Sequence, residues 1–227
     1  MTAIVTGSSS GIGRAVTLAL INEKINVIGI SRSSSGIISP LFKEILMDLG
    51  NIGSLTEIIN DLRKTSAIDI LINNAGCAYF GLHEEINAAK IHEMVTTNLE
   101  VPLVLTGLLL RDLKSVGGTI INISSVTAKN INPHGAAYGA TKAALSSFGN
   151  SIFAEARKNG VRVANIHPEM TDTNLYRNAD FEADTSDSSC LFPKNIADLV
   201  VQILHAPSGF TINDITVNPQ YHRIKRK

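Results

Sequence analysis

Cysteine, net charge and long hydrophobic runs are the features in which this sequence of 227 residues is poor. Its two cysteines, Cys77 and Cys190, are too few for a disulfide framework or a cysteine-rich zinc site. The 20 basic residues equal the 20 acidic residues in number, and this balance argues against a protein that binds nucleic acid. The six histidines show no spacing typical of metal ligands, so no metal is expected.

The longest apolar stretch, residues 101–110, is too short to cross a bilayer and contains Pro102, Thr106 and Gly107. No basic segment followed by an apolar one precedes the first predicted strand, which begins at Ala3, so no secretion signal is predicted. Hydrophobic residues make up 44% of the chain and its mean hydropathy is +0.15, values typical of globular proteins. Together these features predict a cytoplasmic globular protein that does not bind membranes.

Short apolar runs alternate with segments of helical periodicity along the whole chain. The predicted strands are residues 3–6, 27–30, 45–48, 68–72, 119–123, 161–166 and 214–217. The helical segments are centred on residues 12–20, 55–62, 88–113, 137–158 and 196–203. Continuous apolar strands separated by helices predict a parallel sheet that is covered on both faces. The expected fold is α/β: a single doubly wound Rossmann-type domain over residues 1–227, with a seven-stranded, mostly parallel sheet and helices on both faces.

Three stretches break this alternation. Residues 31–40 are rich in serine and leave little room for a full helix between the second and third strands. Residues 174–192 have no clear period and predict a surface loop, in which Tyr176 and Phe181 either cover a substrate or serve as packing residues. The basic tail, residues 221–227, is predicted to be a solvated terminus.

A glycine-rich turn joins the first strand to the first helix. It reads Thr6-Gly7-Ser8-Ser9-Ser10-Gly11-Ile12-Gly13. Gly7 permits a tight turn, and Gly11 and Gly13 allow the backbone to approach a phosphate or the sheet. Free N–H groups and the macrodipole at the start of the helix favour a pyrophosphate. This strand–turn–helix context predicts a dinucleotide site.

The end of the second strand indicates which dinucleotide is bound. An acid there would hydrogen-bond the 2′-hydroxyl of NAD, whereas a cation suits the 2′-phosphate of NADP. The sequence is Gly29-Ile30-Ser31-Arg32-Ser33, without an acid. Arg32 can clamp a phosphate through its planar fork, helped by the hydroxyl of Ser31 or Ser33. We therefore expect NADP(H) to be preferred over NAD(H).

Tyr138 and Lys142 stand four residues apart in a predicted helix, which places both side chains on one face. A nearby ammonium would lower the pKa of the tyrosine from its reference value of about 10. Such a tyrosine can exchange a proton with an alcohol or a carbonyl at neutral pH. Ser125, at the end of a predicted strand, has a hydroxyl that could hold the substrate oxygen beside the phenol.

In combination these residues resemble the short-chain dehydrogenase/reductase family over essentially the whole chain. The matching residues are Thr6-Gly7-x-x-x-Gly11-Ile12-Gly13, Asn73-Asn74-Ala75-Gly76, Asn98, Ser125, Tyr138-x-x-x-Lys142, and Pro168 with Thr173. The resemblance implies an enzyme that interconverts a carbonyl and a secondary alcohol by hydride transfer, on a small ketone, a 3-oxo acid or a 3-hydroxy acid. A 3-oxoacyl-acyl-carrier-protein reductase and a nonenzymatic dinucleotide sensor on the same fold remain alternatives.

The resemblance also implies roles for individual residues. Tyr138 would be the general acid/base, and Ser125 would orient the substrate oxygen. Lys142 would bind the nicotinamide ribose, and Asn98 would hold a water linked to Lys142. The residues implied to bind the cofactor are Gly7, Ser9, Ser10, Gly11, Ile12, Gly13, Ser31, Arg32, Asp48, Leu49, Asn74, Ala75, Gly76, Tyr138, Lys142, Pro168 and Thr173.

Two departures and one further likeness complete the comparison with the family. Glu169 stands where the family usually has a glycine after Pro168. Residues 214–220 lack the Asp-Gly-Gly ending common in acyl-carrier-protein reductases, which argues against a role in fatty-acid synthesis. The segments 88–113 and 137–158 carry more apolar positions than one buried stripe requires. In the family these two helices pair between subunits, which implies a dimer or tetramer.

Overall fold

The computed structural model describes residues 1–186, 188–207, 209–221 and 223–227. Its strands are β1 (Thr2–Thr6), β2 (Asn26–Ser31), β3 (Phe42–Leu46), β4 (Ile70–Asn73), β5 (Thr119–Ile123), β6 (Arg162–Pro168), β7 (Phe181–Ala183), β8 (Asp214–Val217) and β9 (Ile224–Arg226). Seven of them form one sheet in the order β3-β2-β1-β4-β5-β6-β8, and every neighbouring pair is parallel. The remaining two, β7 and β9, form a separate antiparallel pair.

In the described part of the chain, six α-helices accompany the seven-stranded sheet. They are α1 (Gly11–Asn22), α2 (Ile52–Thr65), α3 (Ala88–Val95), α4 (Val101–Val116), α5 (Ala136–Ala156) and α6 (Pro193–Leu204). A π-helical turn, Thr96–Glu100, joins α3 to α4. Side chains of α1 and α6 pack in one apolar cluster, and those of α2, α4 and α5 pack in another. The predicted doubly wound fold is confirmed.

The strands alternate their side chains between these two clusters. Val5 of β1 and Ile72 of β4 belong to the α1–α6 cluster, whereas Ile4 and Leu71 belong to the other. Because both faces of the sheet are covered, the central strands are buried along their whole length. This explains why they read as unbroken apolar runs in the sequence.

The third strand begins earlier than its apolar pattern indicates. It was predicted at residues 45–48 and spans Phe42–Leu46, because its register with β2 pairs Phe42 with Val27. The loop of residues 32–41 contains no helix, as expected. Its backbone is held by a hydrogen bond from Arg14 Nε to the Ser35 carbonyl at 3.1 Å and by one from the Ser35 amide to Glu44 at 2.7 Å.

The C-terminal tail, predicted to be a solvated terminus, has exposed side chains at every described residue and also forms a short strand. Its strand β9 pairs with β7, which lies in the segment 174–192 that was predicted to be an irregular loop. The Lys227 amide bonds the Asp180 carbonyl at 2.9 Å, and its ammonium bonds the Tyr176 carbonyl at 2.8 Å. Local sequence patterns do not reveal such a pairing between distant segments. Asp187 and His222, which belong to these two segments, lie outside the described residues.

The stretch Ala88–Val116 is long and apolar enough to cross a membrane by length and composition alone, and 44% of its most apolar window is buried inside the molecule. Within the described part of the chain, no group of three or more His, Cys, Asp or Glu residues is placed to hold a metal ion.

Buried asparagines form a ladder across the middle of the sheet. Asn73 of β4 donates to Asn122 of β5 at 2.9 Å, and Asn122 donates to Asn165 of β6 at 2.9 Å. Asn165 then donates to the Ser146 carbonyl and to Asn150, both on α5. The ladder therefore fixes α5, which carries Tyr138 and Lys142, against the sheet.

Replacing Asn122 with Leu is expected to destabilise the protein strongly. Amide groups of both Asn73 and Asn165 would lose a buried partner, at a cost of roughly 2–5 kcal/mol in the free energy of unfolding. Asn150→Ala is the matched control: this residue is exposed, so water replaces the lost bond and the cost stays below about 1 kcal/mol. Urea unfolding of both variants checks this prediction. An equal decrease in the free energy of unfolding of the two variants would contradict the role of the ladder.

Candidate active site

A cavity of about 680 Å³ lies at the carboxyl ends of the parallel strands. Almost every residue that the sequence predicts for the site lines it: Gly7, Ser9, Ser10, Gly11, Ile12, Ser31, Arg32, Asp48, Leu49, Asn74, Ala75, Gly76, Ser125, Tyr138, Lys142, Pro168 and Thr173. Gly13 and Asn98 do not line it, but each contacts a residue that does.

The glycine-rich turn is shaped to hold a phosphate group. Gly7 has φ +68° and Gly11 has φ +52°, a conformation that side chains rarely adopt. Ser10 precedes α1 without a side-chain cap, so the first amides of the helix remain available to a ligand. A Cβ at Gly13 would collide with the Gly7 carbonyl and the Asn74 amide. Gly13 therefore lets the helix approach the turn, and its role is one of packing.

Residues of the Asn-Asn-Ala-Gly segment clamp this turn from the other side. The Asn74 amide group donates to the Thr6 carbonyl at 2.8 Å and to the Gly7 carbonyl at 3.2 Å. The Thr6 hydroxyl accepts from the Asn74 and Ala75 amides, each at 3.0 Å. The shape and the free amides of this cradle fit the pyrophosphate of a dinucleotide.

Arg32 stands at the opposite end of the cavity, where an adenosine ribose would lie. Its guanidinium is 3.7 Å from the Glu93 carboxylate of α3, and the two side chains are 61% and 36% exposed. Glu93 also accepts a hydrogen bond from the Tyr79 hydroxyl at 2.6 Å, which raises the pKa of Tyr79. An acid therefore faces the predicted phosphate-binding arginine from the far wall of the cavity.

Ser125, Tyr138 and Lys142 come together at the other end. The Tyr138 and Ser125 hydroxyls are hydrogen-bond partners, and Ser125 Oγ also accepts from the Thr127 hydroxyl at 2.9 Å. Lys142 Nζ donates to the Ile123 carbonyl at 2.8 Å and lies 5.9 Å from the centre of the Tyr138 ring. All three side chains are at least nine-tenths buried.

The pKa of Tyr138 is shifted opposite to the prediction from the Tyr–Lys spacing. Burial raises it well above its usual range, and the nearby Tyr176 adds to the rise, while the hydrogen bond from Ser125 opposes it. Burial likewise lowers the pKa of Lys142 to about 8. The ammonium is bound to a carbonyl and not to the phenol, so its effect on the phenol is outweighed by desolvation. In this state of the protein Tyr138 is a proton donor at neutral pH.

Asn98 lies in the π-helical turn, and its side chain is fully engaged. Its Oδ1 accepts from the Cys77 amide at 2.9 Å, while its Nδ2 donates to the Cys77 carbonyl and to the Thr141 hydroxyl. These bonds use the side-chain amide within the protein, so the water-holding role that the resemblance implies stays a prediction. Pro102, four residues on, has no amide hydrogen and cannot supply the bond that an α-helix would give the backbone carbonyl of Asn98.

An aromatic cluster closes the substrate side of the site. Phe80 lies 5.9 Å from Tyr138 and 5.9 Å from Tyr176 between ring centres, and 5.2 Å from Phe181. Burial raises the pKa of Tyr176 to about 12. Glu169 is half-buried and lines the cavity near Tyr176. The strand β9 holds this cluster in place through its pairing with β7.

Two residues of the site escaped the sequence reasoning. Glu93 and Phe80 reach it only through tertiary packing, and no local pattern signals them.

Comparisons with known proteins agree with this architecture. The family model of short chain dehydrogenases matches residues 1–183. An uncharacterised oxidoreductase of Staphylococcus saprophyticus is 31% identical over 230 residues, which cover 96% of each protein. A 3-oxoacyl-[acyl-carrier-protein] reductase of Buchnera aphidicola is 34% identical over 182 residues, which cover 77% of this chain and 75% of the reductase.

The fold is also found among solved structures. An alcohol dehydrogenase from the archaeon Thermococcus sibiricus, complexed with 5-hydroxy-NADP, has a TM-score of 0.86 to this chain. The match covers 98% of this chain and 97% of that one at 24% identity, so it concerns the fold alone. From the family match and the full-length relative, the chain belongs to the short chain dehydrogenase family and is an oxidoreductase that acts on CH–OH groups with a nicotinamide dinucleotide.

Proposed function

We propose that this protein is an NADP(H)-dependent oxidoreductase that interconverts a small ketone, or a 3-oxo acid, and the corresponding secondary alcohol. The observation that carries the proposal is the buried group of Ser125, Tyr138 and Lys142 at one end of a cavity whose other end holds Arg32. The dinucleotide, when bound, supplies or accepts the hydride at the substrate carbon.

The residues of the chain handle the substrate oxygen. Ser125 donates a hydrogen bond to it, and Tyr138, protonated at neutral pH, gives its proton to the oxygen as the carbonyl is reduced. The phenolate that remains is stabilised by the Lys142 ammonium, which is charged below pH 8. In the oxidative direction the same phenol must first lose its proton, so alcohol oxidation is expected to gain rate as the pH rises.

The aromatic cluster supports a small substrate. Phe80 and Tyr176 occupy the space next to the Tyr138 ring, and the pairing of β7 with β9 holds Phe181 in the same aromatic cluster.

The proposed activity is tested with purified protein and NADPH. The substrates are cyclohexanone, butane-2,3-dione, acetoacetate and ethyl acetoacetate, and the fall in NADPH absorbance is measured. The proposal is supported if the wild type consumes NADPH with one of these substrates and Ser125→Ala does not. Equal rates of NADPH consumption in the two proteins contradict it.

A carrier-protein-linked substrate is the second candidate, favoured by the likeness to the Buchnera aphidicola reductase. The end of the chain argues against it, since β8 and the residues after it lack the Asp-Gly-Gly sequence. Acetoacetyl-acyl-carrier protein and ethyl acetoacetate separate the two candidates. A kcat/KM at least about a hundredfold higher with the carrier-linked substrate would replace the small-molecule proposal with the second one.

NADPH is expected to bind more tightly than NADH. A charge-assisted contact between Arg32 and a 2′-phosphate is worth roughly 1.5–3 kcal/mol, or about one to two decades in Kd. The exposed pair of Arg32 with Glu93 is worth about 0–1 kcal/mol, so a phosphate displaces it. Fluorescence titration of both reduced cofactors checks this, and equal Kd values would remove the assignment.

Glu93→Gln provides a control for the same contact. The variant frees Arg32 and removes a negative charge that faces the 2′-phosphate, so the Kd of NADPH is expected to fall a few-fold while that of NADH stays the same. Arg32→Gln is expected to bring the two Kd values close together. If Arg32→Gln raised the Kd of NADPH and the Kd of NADH by the same factor, Arg32 would not be the residue that recognises the 2′-phosphate.

We propose further that the protein assembles as a dimer or tetramer through α4 and α5. Leu103 and Val116 of α4 are 37% and 49% exposed, and Ile152 and Phe153 of α5 are only partly buried. Such apolar surface is typically covered by another subunit. Light scattering at micromolar concentration is expected to give at least twice the chain mass of 24.3 kDa, and a mass equal to that of one chain would contradict the assembly.

A further inference from the structure

His167 lies behind the active site, one residue before Pro168 at the end of β6. Its side chain is fully buried, and it does not line the cavity. Its Nδ1 is 3.1 Å from the backbone carbonyl of Ser125, and its Nε2 is 3.0 Å from Asp214 Oδ2 on β8. The imidazole thus bridges the backbone of the serine proposed to orient the substrate oxygen to the edge strand of the sheet.

Both partners of the ring are hydrogen-bond acceptors. A backbone carbonyl carries no proton, and Asp214 is ionised at neutral pH: partial burial raises its pKa, but bonds from Lys129 and His167 outweigh this and lower it. Each ring nitrogen must therefore donate, and only the doubly protonated imidazolium has two N–H groups. A neutral ring would leave one lone pair facing either the carbonyl or the carboxylate.

Two charged side chains lie on the β8 side of the ring. From β8, Asp214 contributes an anion, and from the turn after Ser125, Lys129 binds the other oxygen of that carboxylate. Lys129 also donates to the Thr216 hydroxyl of β8 at 3.1 Å. Glu169 follows the histidine by two residues, just beyond the end of β6. The backbone from Ser125 to Lys129 is thus tied to β8 at both of its ends.

We propose that His167 is a positioning residue, which as an imidazolium holds the Ser125 backbone so that the serine hydroxyl meets both the phenol of Tyr138 and the substrate oxygen. This inference rests on the role proposed above for Ser125. It adds a buried cation to the site, on the side of the serine away from the cofactor cavity.

The protonation state is tested without any substrate. In ¹⁵N-labelled protein at pH 7, the ring of His167 is expected to show two N–H signals, which His167→Gln removes and which therefore belong to this residue. Asp214→Asn replaces the charged acceptor of the Nε2–H group, so the Nε2–H signal is expected to move while the Nδ1–H signal, bonded to the Ser125 carbonyl, stays in place. If His167→Gln does not fold, the response to Asp214→Asn identifies the ring. A single protonated nitrogen at pH 7 in the wild-type protein would overturn the inference.

The positioning role is tested by a split between turnover and cofactor binding. His167→Gln is expected to lower kcat at least about tenfold while the Kd of NADPH changes less than about twofold, because the ring does not touch the cavity. His205→Gln, at an exposed histidine that pairs with Glu23, is the matched control and should leave kcat unchanged. Ser125→Ala separates the two proposals. If Ser125→Ala loses activity and His167→Gln keeps full activity, the inference about His167 is overturned and the role of Ser125 stands. If Ser125→Ala keeps full activity, the proposed role of the serine is overturned as well.

Discussion

Replacing Tyr138 with Phe is expected to lower kcat at least about a hundredfold, because a positioned general acid contributes roughly 10²–10⁴-fold to the rate. The ring stays in place and continues to pack against Phe80, and only the hydroxyl that meets Ser125 is lost. Fold and NADPH affinity should therefore be nearly unchanged. Steady-state kinetics with the fastest carbonyl substrate, circular dichroism and a cofactor titration together check the three parts of this result.

Tyr221→Phe is the matched control for Tyr138→Phe. It removes the same hydroxyl from a ring that is 54% exposed and outside the cavity, so its kcat should equal that of the wild type. The wild-type pH profile adds a second check. Because the pKa of Tyr138 is raised by burial, carbonyl reduction should persist at neutral pH while alcohol oxidation increases toward alkaline pH. A Tyr138→Phe variant that retains more than about a hundredth of kcat would exclude the phenol as the main proton donor.

Much of the fold is readable from the sequence because the central strands are buried on both faces. Runs such as that of β4, Ile70–Asn73, lie between two helical layers and have no solvated side to break their apolar pattern. The edge of the sheet is harder to predict: β3 has no fully buried residue, and its start depends on the register with β2. The pair β7–β9 joins residues more than forty positions apart, and neither strand is apolar enough to be noticed alone.

The candidate site likewise combines local features, which the sequence reveals, with tertiary contacts, which it does not reveal. The glycine-rich turn and the Tyr138–Lys142 spacing are local, since one turn and one helix face place all of their groups, and these residues line one cavity in the structure. Glu93 and His167 act on Arg32 and Ser125 across different elements, so the sequence offers no local sign of them. The direction of the Tyr138 pKa was missed for a related reason: it depends on how completely the ring is desolvated, which only the packed structure reveals.

Lys142→Met is expected to reduce turnover strongly and yet to leave the folded protein as stable as the wild type or slightly more stable. Without the ammonium, the phenolate of Tyr138 lacks its cation, and kcat should fall roughly 10²–10³-fold, as for the loss of other preorganised electrostatic groups. Burial lowers the pKa of Lys142 from 10.5 to about 8, so the charged side chain costs about 3 kcal/mol in the folded state. Methionine removes that cost but leaves the Ile123 carbonyl unpaired, which costs about 1–3 kcal/mol.

The pH dependence of stability isolates the cost of the buried charge from the other effects of Lys142→Met. Below pH 8 the lysine is protonated in both the folded and the unfolded chain, so the cost is fully present. Between pH 8 and 10.5 the folded chain releases the proton while the unfolded chain keeps it, and the wild type gains stability with rising pH. Urea unfolding should therefore show that the free energy of unfolding of the wild type rises relative to that of Lys142→Met between pH 8 and pH 10.5. Lys158→Met, at an exposed position, controls for the removal of one charge and should show no such trend. A constant difference between wild type and Lys142→Met from pH 7 to 10.5 would mean that Lys142 is not held as a buried cation, and the stabilisation of the phenolate would have to come from elsewhere.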